Sequence, residues 1–198
     1  MSAPEPLPGY RPPNQAALDK EVDRLDRHCQ AFIRQSPWLT LATSDAGGFP
    51  DVSPRGGEPG FVKVLDEHRL VLPDRPGNDR VDSLRNVTAN PRVALMFVVP
   101  GVQETLRVYG AASVVPPDEV GPDLTEFGRP PRSALVVQVR RAYFQCARSL
   151  LRSGLWDPER WPGRGDLAPM GEVFRDHCRL PAPLPADDVL HADLVQNL

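Results

Sequence analysis

The chain has 198 residues, 40% of them hydrophobic and 25% charged, which suits one domain with a real core and modest appendages. The longest unbroken apolar run, residues 93–99, is far too short to cross a bilayer, and no basic head with an apolar stretch opens the chain, so a soluble cytoplasmic protein is expected. A net charge of −3 argues against nucleic acid as the main partner. Three composition features sharpen this. There are 24 prolines, about 12% against a usual ~5%, so turns dominate over long helices. All of the 23 basic residues except Lys20 and Lys63 are arginines, so Schiff-base chemistry has Lys63 as its one serious candidate and anion recognition falls to arginine and backbone N–H groups. Cys29, Cys146 and Cys178 form no C-x-x-C pair and match no histidine spacing, which speaks against a zinc site and for a reducing compartment.

In chain order, residues 1–16 hold five prolines and predict an extended arm. Over 17–35, Leu18, Val22, Leu25, Cys29, Phe32 and Ile33 recur at helical spacing and predict one amphipathic helix ended by Ser36-Pro37. The period then shortens towards two. Residues 38–43, 51–54, 61–65 and 69–72 are β-type runs punctuated by Gly47-Gly48, Gly56-Gly57, Pro59-Gly60 and Asp66-Glu67. Residues 78–89 predict a helix with Val81, Leu84 and Val87 as its stripe, and 92–99 a central strand apolar on both faces. Strands over 104–115 and 134–139 follow, separated by a proline-rich connection with a helical piece over 118–127. A helix is expected over 143–151, and weak helical patterns near 171–178 and 187–195.

Short strands at close spacing with one mid-chain helix favour a small antiparallel barrel carrying helices over a doubly wound sheet. Neither G-x-G-x-x-G nor a P-loop is present, and no G-x-S-x-G supports a serine hydrolase. Four constellations could carry chemistry. The run 74–80 places a glycine turn at the expected opening of a helix, where free N–H groups suit an anion and Arg75 and Arg80 could add charge; a capped helix with solvated arginines is the plain alternative. The run 51–57 alternates Ser53 and Arg55 along a strand beside Gly56-Gly57, or is simply a strand end with a turn. On the strand 104–108, Thr105 and Arg107 face opposite to Leu106 and Val108, toward a ligand or toward water. From Gly128 to Trp156 there are six arginines and no acidic residue, and Arg148 and Arg152 would repel each other on one helix face unless an anion, a partner's carboxylate or water accommodates them.

The runs PDVSPRGG, LPDRPGNDRVDSLRNVTANPRVALMF and PGVQETLRVYGAA, with the tail CARSLLRSGLWDP, resemble the pyridoxamine 5′-phosphate oxidase-like FMN-binding split-barrel family, over about residues 18–158. The resemblance implies a mainly β fold with flanking helices, a six-stranded antiparallel split β-barrel, over 17–158. Residues 159–198 become a weakly helical extension packed on the barrel or its dimer partner. It further implies a homodimer with FMN between the subunits and FMN-dependent oxidoreductase activity on a small, possibly anionic, unidentified substrate. The alternatives are a flavin carrier or sensor without turnover, or a deazaflavin-dependent reductase. On the family pattern, Ser53, Arg55 and Gly56 lie on the strand passing the flavin, and Asp74 and Arg75 touch the ring or ribityl chain. Asn78 and Arg80 hold the phosphate, Thr105 contacts the flavin with Arg107 beside it, and Arg148 and Trp156 reach the site from the tail. No metal and no catalytic residue is assigned. The oxidase's own R-x-V-L-L-K strand is replaced here by Ser53-Pro54-Arg55-Gly56-Gly57-Glu58, so pyridoxamine phosphate itself is not the expected substrate.

Overall fold

A computed structural model describes residues 7–181, 185 and 187–196 of the chain. They form two compact units divided between Arg152 and Ser153. Of the expected arm, residues 1–6 lie outside the described residues, and 7–14 are exposed and carry neither helix nor strand.

The first unit is built on one antiparallel sheet of seven strands: β1 (Trp38–Ser44), β2 (Pro50–Gly56), β3 (Lys63–Asp66), β4 (Arg69–Asp74), β5 (Arg92–Val98), β6 (Thr105–Val115) and β7 (Ser133–Gln145). They lie in the order β2-β1-β5-β6-β7-β4-β3, one strand more than the six implied by the resemblance. The extra one is the four-residue edge strand β3, hairpinned to β4 with a register shift between Val64 and Asp66. Although β2 stands at one edge of the sheet and β4 lies next to the other, Arg55 on β2 meets Asp74 on β4 at 2.7 Å. The sheet is therefore rolled until its ends nearly touch, which is a split barrel. Alternation along the strands drives the roll: Leu39 and Leu41, Leu95 and Phe97, and Leu106 and Val108 point inward and are buried. Two glycines permit close approaches in this wall. A Cβ on Gly110, at the bulge between β6 and β7, would lie 2.2 Å from the Gln138 carbonyl oxygen. One on Gly57 would lie 2.7 Å from Glu126 Oε2 and 2.8 Å from Phe61 Cβ.

The expected helix over 17–35 is instead two helices, α1 (Gln15–Asp19) and α2 (Arg27–Gln35). Between them Val22 exchanges backbone hydrogen bonds with Ala142 at 2.9 and 2.8 Å, and the Leu25 N–H donates to the Glu67 carbonyl at 2.7 Å. Pairing with the sheet overrides helical continuity there, and α2 restarts where the Asp26 carboxylate accepts the N–H groups of His28 and Cys29. These backbone donors hold Asp26 below the usual carboxylate range against a smaller opposing effect of burial, while burial pushes the Cys29 thiol up to about 12 and leaves it inert.

The mid-chain helix α3 (Asp82–Ala89) begins four residues later than the sequence suggests, because Asp79 and Val81 sit at φ +55° and +48°, outside any right-handed helix. The helix expected over 143–151 starts as strand: β7 runs to Gln145, paired residue for residue with the start of β6, and only Arg148–Ser153 is helical (α4). The aromatic side chains explain this, since Tyr143 stacks on Tyr109 of the neighbouring strand and Phe144 meets Phe32 of α2 edge-on. The helical piece expected over 118–127 reduces to a 3-10 turn at Pro117–Glu119 and a tight turn bridged between Glu126 and Arg129.

The second unit holds α5 (Met170–Cys178) and α6 (Asp187–Gln196), on the two weak helical patterns of the sequence, linked where the Gly171 N–H donates to the Asp187 carboxylate at 3.4 Å. Among the described residues, no helix is long and apolar enough to cross a membrane.

Candidate functional site

Where the rolled sheet fails to close, a cleft of about 580 Å³ lies between β2, the end of β4, the loop 75–81 and the start of α3. Its volume falls within the range of small-molecule sites. The strand β2 supplies one wall by alternation: Asp51, Ser53 and Arg55 are half-buried toward the cleft, while Pro50, Val52, Pro54 and Gly56 are exposed. Two prolines are tolerated because this is an edge strand. The opposite wall is Asp74 and Arg75, followed by the turn Pro76-Gly77-Asn78 and Arg80. Seven of the residues singled out in the sequence are thus brought together: Ser53, Arg55, Gly56, Asp74, Arg75, Asn78 and Arg80.

The lining carries four arginines and four aspartates, and every arginine has an acidic partner. They differ in depth. Arg55 pairs with Asp74 at 2.7 Å, with side chains 18% and 12% exposed, and also donates to Ser53 Oγ at 3.1 Å. Arg75 pairs with Glu126 at 2.8 Å, with 22% and 10% exposed, and donates to the carbonyls of Leu124 at 2.9 Å and Arg129 at 3.4 Å. Glu126 Oε1 in turn accepts the Glu58 N–H, so Arg75 ties the β6–β7 connection to the turn after β2. At the rim, Arg80 pairs with Asp82 at 2.7 Å and is 75% exposed, which raises its already high pKa by the hydrogen bond and charge of that carboxylate. Arg132 reaches across to Asp79, both more than half exposed.

The start of α3 is pinned to β1 and β2 by polar contacts. Ser83 Oγ donates to Asp51 Oδ2 at 3.3 Å, Thr43 Oγ1 donates to the same oxygen at 3.4 Å, and Asn86 donates to Thr43 Oγ1 at 3.0 Å. Asn78 accepts the Arg80 N–H at 3.2 Å within the loop, and no side chain caps α3 at Val81. The anion-attracting N–H groups of a helix opening therefore belong to 82–84 rather than 78–80.

The other proposed site residues lie elsewhere. Thr105 and Arg107 alternate with the inward Leu106 and Val108, so they sit on the outer face of the barrel. There Arg107 donates to the Tyr143 hydroxyl at 3.3 Å, the Tyr109 and Tyr143 hydroxyls lie 3.2 Å apart, and the Arg141 guanidinium covers the Tyr109 ring at 4.2 Å. Burial raises the Tyr109 phenol. Burial also pushes Tyr143 up, but its hydrogen bonds with Tyr109 and Arg107 outweigh that and bring it below its ordinary value. Arg148 opens α4 and does not line the cleft. Trp156 belongs to the second unit.

Of the cleft residues, Arg132 entered the sequence reading only among the six arginines of 128–156 and Asp51 only as the start of the run 51–57, while Ser133, Ser83 and Glu126 behind them were not singled out. Asp51 was legible as the next inward position before Ser53. Arg132 and Ser133 were not, because only the antiparallel pairing of Asp74 with Ser133 brings the start of β7 to the end of β4. Ser133 Oγ and Arg75 Nε, both on cleft-lining residues, are buried without a hydrogen-bond partner.

Residues 25–146, more than half of the chain, match the family described as Pyridoxamine 5'-phosphate oxidase. A curated relative from Anaeromyxobacter dehalogenans (strain 2CP-C), named Pyridoxine/pyridoxamine 5'-phosphate oxidase, is 27% identical over 184 residues, covering 93% of this chain and 76% of the relative. Two crystal structures of HupZ from Group A Streptococcus share the fold, with TM-scores of 0.51 and 0.50 at 15% identity, covering 61% and 60% of this chain and 99% and 92% of theirs.

Proposed function

Because the chain belongs to the pyridoxamine 5′-phosphate oxidase family, we propose that its cleft binds FMN and that the protein is an FMN-dependent oxidoreductase. The observation that carries this reading is the cleft itself: about 580 Å³, lined by four arginines, with two buried polar atoms of its wall unpartnered. An open polar wall with hydrogen-bonding capacity to spare fits a ligand that is part phosphate, part polyol and part heteroaromatic ring.

In this reading Arg80, on the exposed rim, holds the phosphate, helped by N–H groups at the start of α3. Ser53 and Ser133 offer hydroxyls to polar parts of the cofactor. Arg75 acts behind the wall, holding the loop through Glu126, so the family's contact at this position narrows to its unpartnered Nε. Arg55 keeps its charge matched by Asp74, which fixes both side chains against the cofactor's path. Bound FMN would supply the redox chemistry by accepting and passing on a hydride equivalent. The protein's own contribution is to bind, orient and exclude water.

We also propose the homodimer. Its support is the outer face, where Thr105, Arg107 and the tyrosine pair point away from their own cleft. On the same face Trp38 is 40% and Val52 63% exposed, beside the small Ala42 and Ala94. A second copy would cover these apolar groups and bring Arg107 to a cleft that is not its own, whereas Thr105, 7% exposed, is already covered by its own chain.

The test is the visible spectrum of the purified protein and a fluorescence titration with FMN. Saturable binding is expected, weakened about ten- to a hundredfold by Arg80→Ala, the scale of one charge-assisted contact. No flavin uptake by the wild type would refute the reading. Anaerobic reduction by NADH, NADPH or a pyridoxamine 5′-phosphate-type amine, then reoxidation by oxygen, separates an enzyme from a carrier: a bound flavin that turns over no faster than free FMN is a carrier.

A further inference from the structure

We propose that Arg132 is a second phosphate-binding arginine of the cleft and that its ion pair with Asp79 is a latch at the rim, exchanged for a phosphomonoester when ligand enters. The inference deepens the flavin reading and rests on it for the identity of the ligand.

The depth of the four arginine pairs separates those free to move from those that are not. Moving Arg55 or Arg75 onto a ligand would strip Asp74 or Glu126, whose side chains are only 12% and 10% exposed, of its cation, leaving a charge in a poorly hydrated place. Arg80 and Arg132 are 75% and 60% exposed, and the carboxylates they would release, Asp82 and Asp79, are 37% and 65% exposed and return to water. A phosphomonoester carries close to two negative charges at neutral pH, and these two guanidinium groups match it.

The backbone aims Arg132 at the same ground. Its N–H donates to the Asp74 carbonyl at 3.0 Å, continuing the β4–β7 ladder, so its main chain is fixed beside the cleft while its side chain is free to swing. The adjoining Ser133 has its buried Oγ unpartnered on the same wall. Asp79 holds the left-handed backbone at φ +55° in the outer part of the loop, where the further contacts are local, Asn78 to the Arg80 N–H and Arg80 to Asp82, while Arg75 anchors the loop's start. The Arg132–Asp79 pair spans 53 residues and adds, at the rim, a second tie between the β6–β7 connection and this loop beside that of Arg75. Exposed ion pairs shift an equilibrium by a factor of only about two to five, whereas an arginine–phosphate contact is worth roughly ten- to a hundredfold, so the exchange runs toward the ligand.

The test compares the wild type, Arg132→Ala and Asp79→Asn in fluorescence titrations with FMN and with riboflavin, which lacks the phosphate. Asparagine tolerates the left-handed backbone, so the second variant removes the competing carboxylate without straining the loop. Arg132→Ala is expected to weaken FMN binding ten- to a hundredfold and to leave riboflavin unchanged; Asp79→Asn is expected to tighten FMN two- to fivefold. Equal losses for both flavins, or an FMN affinity for Arg132→Ala within threefold of wild type, would overturn the proposal while leaving the flavin reading standing. A parallel titration with inorganic phosphate follows the Arg132 Nε–Hε resonance by NMR. If the wild type binds neither flavin, the flavin reading fails; a phosphate-dependent shift of that resonance then still upholds the latch, and an unmoved resonance overturns it too.

Discussion

The floor and the rim of the cleft use the same residue type for opposite purposes. On the floor, Arg55 and Arg75 are largely withdrawn from water and locked to Asp74 and Glu126, and Arg75 also satisfies two loop carbonyls. At the rim, Arg80 and Arg132 make ion pairs of similar length, but with solvent on every side. Distance therefore does not rank these pairs; hydration does. A buried pair resists separation because either partner left alone bears the desolvation penalty, while an exposed pair exchanges partners at little cost. The floor pairs hold the walls of the cleft together, and the rim pairs are the ones that can change partners.

The difference is open to measurement by urea denaturation. Arg75→Ala carries the largest expected effect, a loss of about 3 kcal/mol, because it abandons the Glu126 carboxylate where that group is 10% exposed. A loss under about 1 kcal/mol would place Arg75 with the rim arginines. An intermediate case lies outside the cleft, at Asp26, whose partners are backbone N–H groups at the opening of α2. Asp26→Ala should cost about 1 kcal/mol at neutral pH, as helix-capping carboxylates do. Its folded pKa is lowered from the unfolded value of 3.8, so its stabilisation is complete above that value and lost as pH falls through the folded one. The wild type and Asp26→Ala should accordingly converge in acid, and a gap that persists there would assign the effect to something other than the ionised cap. Smallest of all, Arg80→Ala and Arg132→Ala should leave the unfolding midpoint at its wild-type position. A marked drop in either would mean that the rim is structural as well.

Much of the barrel was legible because its causes are local. The alternation of Leu39 and Leu41, or of Leu106 and Val108, announces which face of a strand is buried, and the glycine and proline pairs announce the turns between. The misreadings share one cause. Val22 fits the apolar stripe of a helix, and Tyr143 fits another, yet each is claimed by a strand partner far away in sequence, Ala142 and Arg107. Likewise the run 74–80 lines the cleft, but the left-handed backbone at Asp79 and Val81 shifts the helix opening beyond Asn78. For the site, motif resemblance gathered the residues of β2, β4 and the loop, which the fold does bring to one cleft. Arg132 was marked only as one of six arginines over 128–156, and nothing local set it apart from the other five.

The order of residues by itself determined the class of fold, through periodicity and turn chemistry, and pointed to the family through the resemblance of a few short motifs, because these are properties of local stretches. Only the tertiary structure decided which arginines are spent on holding the barrel together and which remain available at its mouth. Burial is a property of what packs around a side chain, and the neighbours that bury Arg75 and leave Arg132 in water come from parts of the chain about fifty residues away from each.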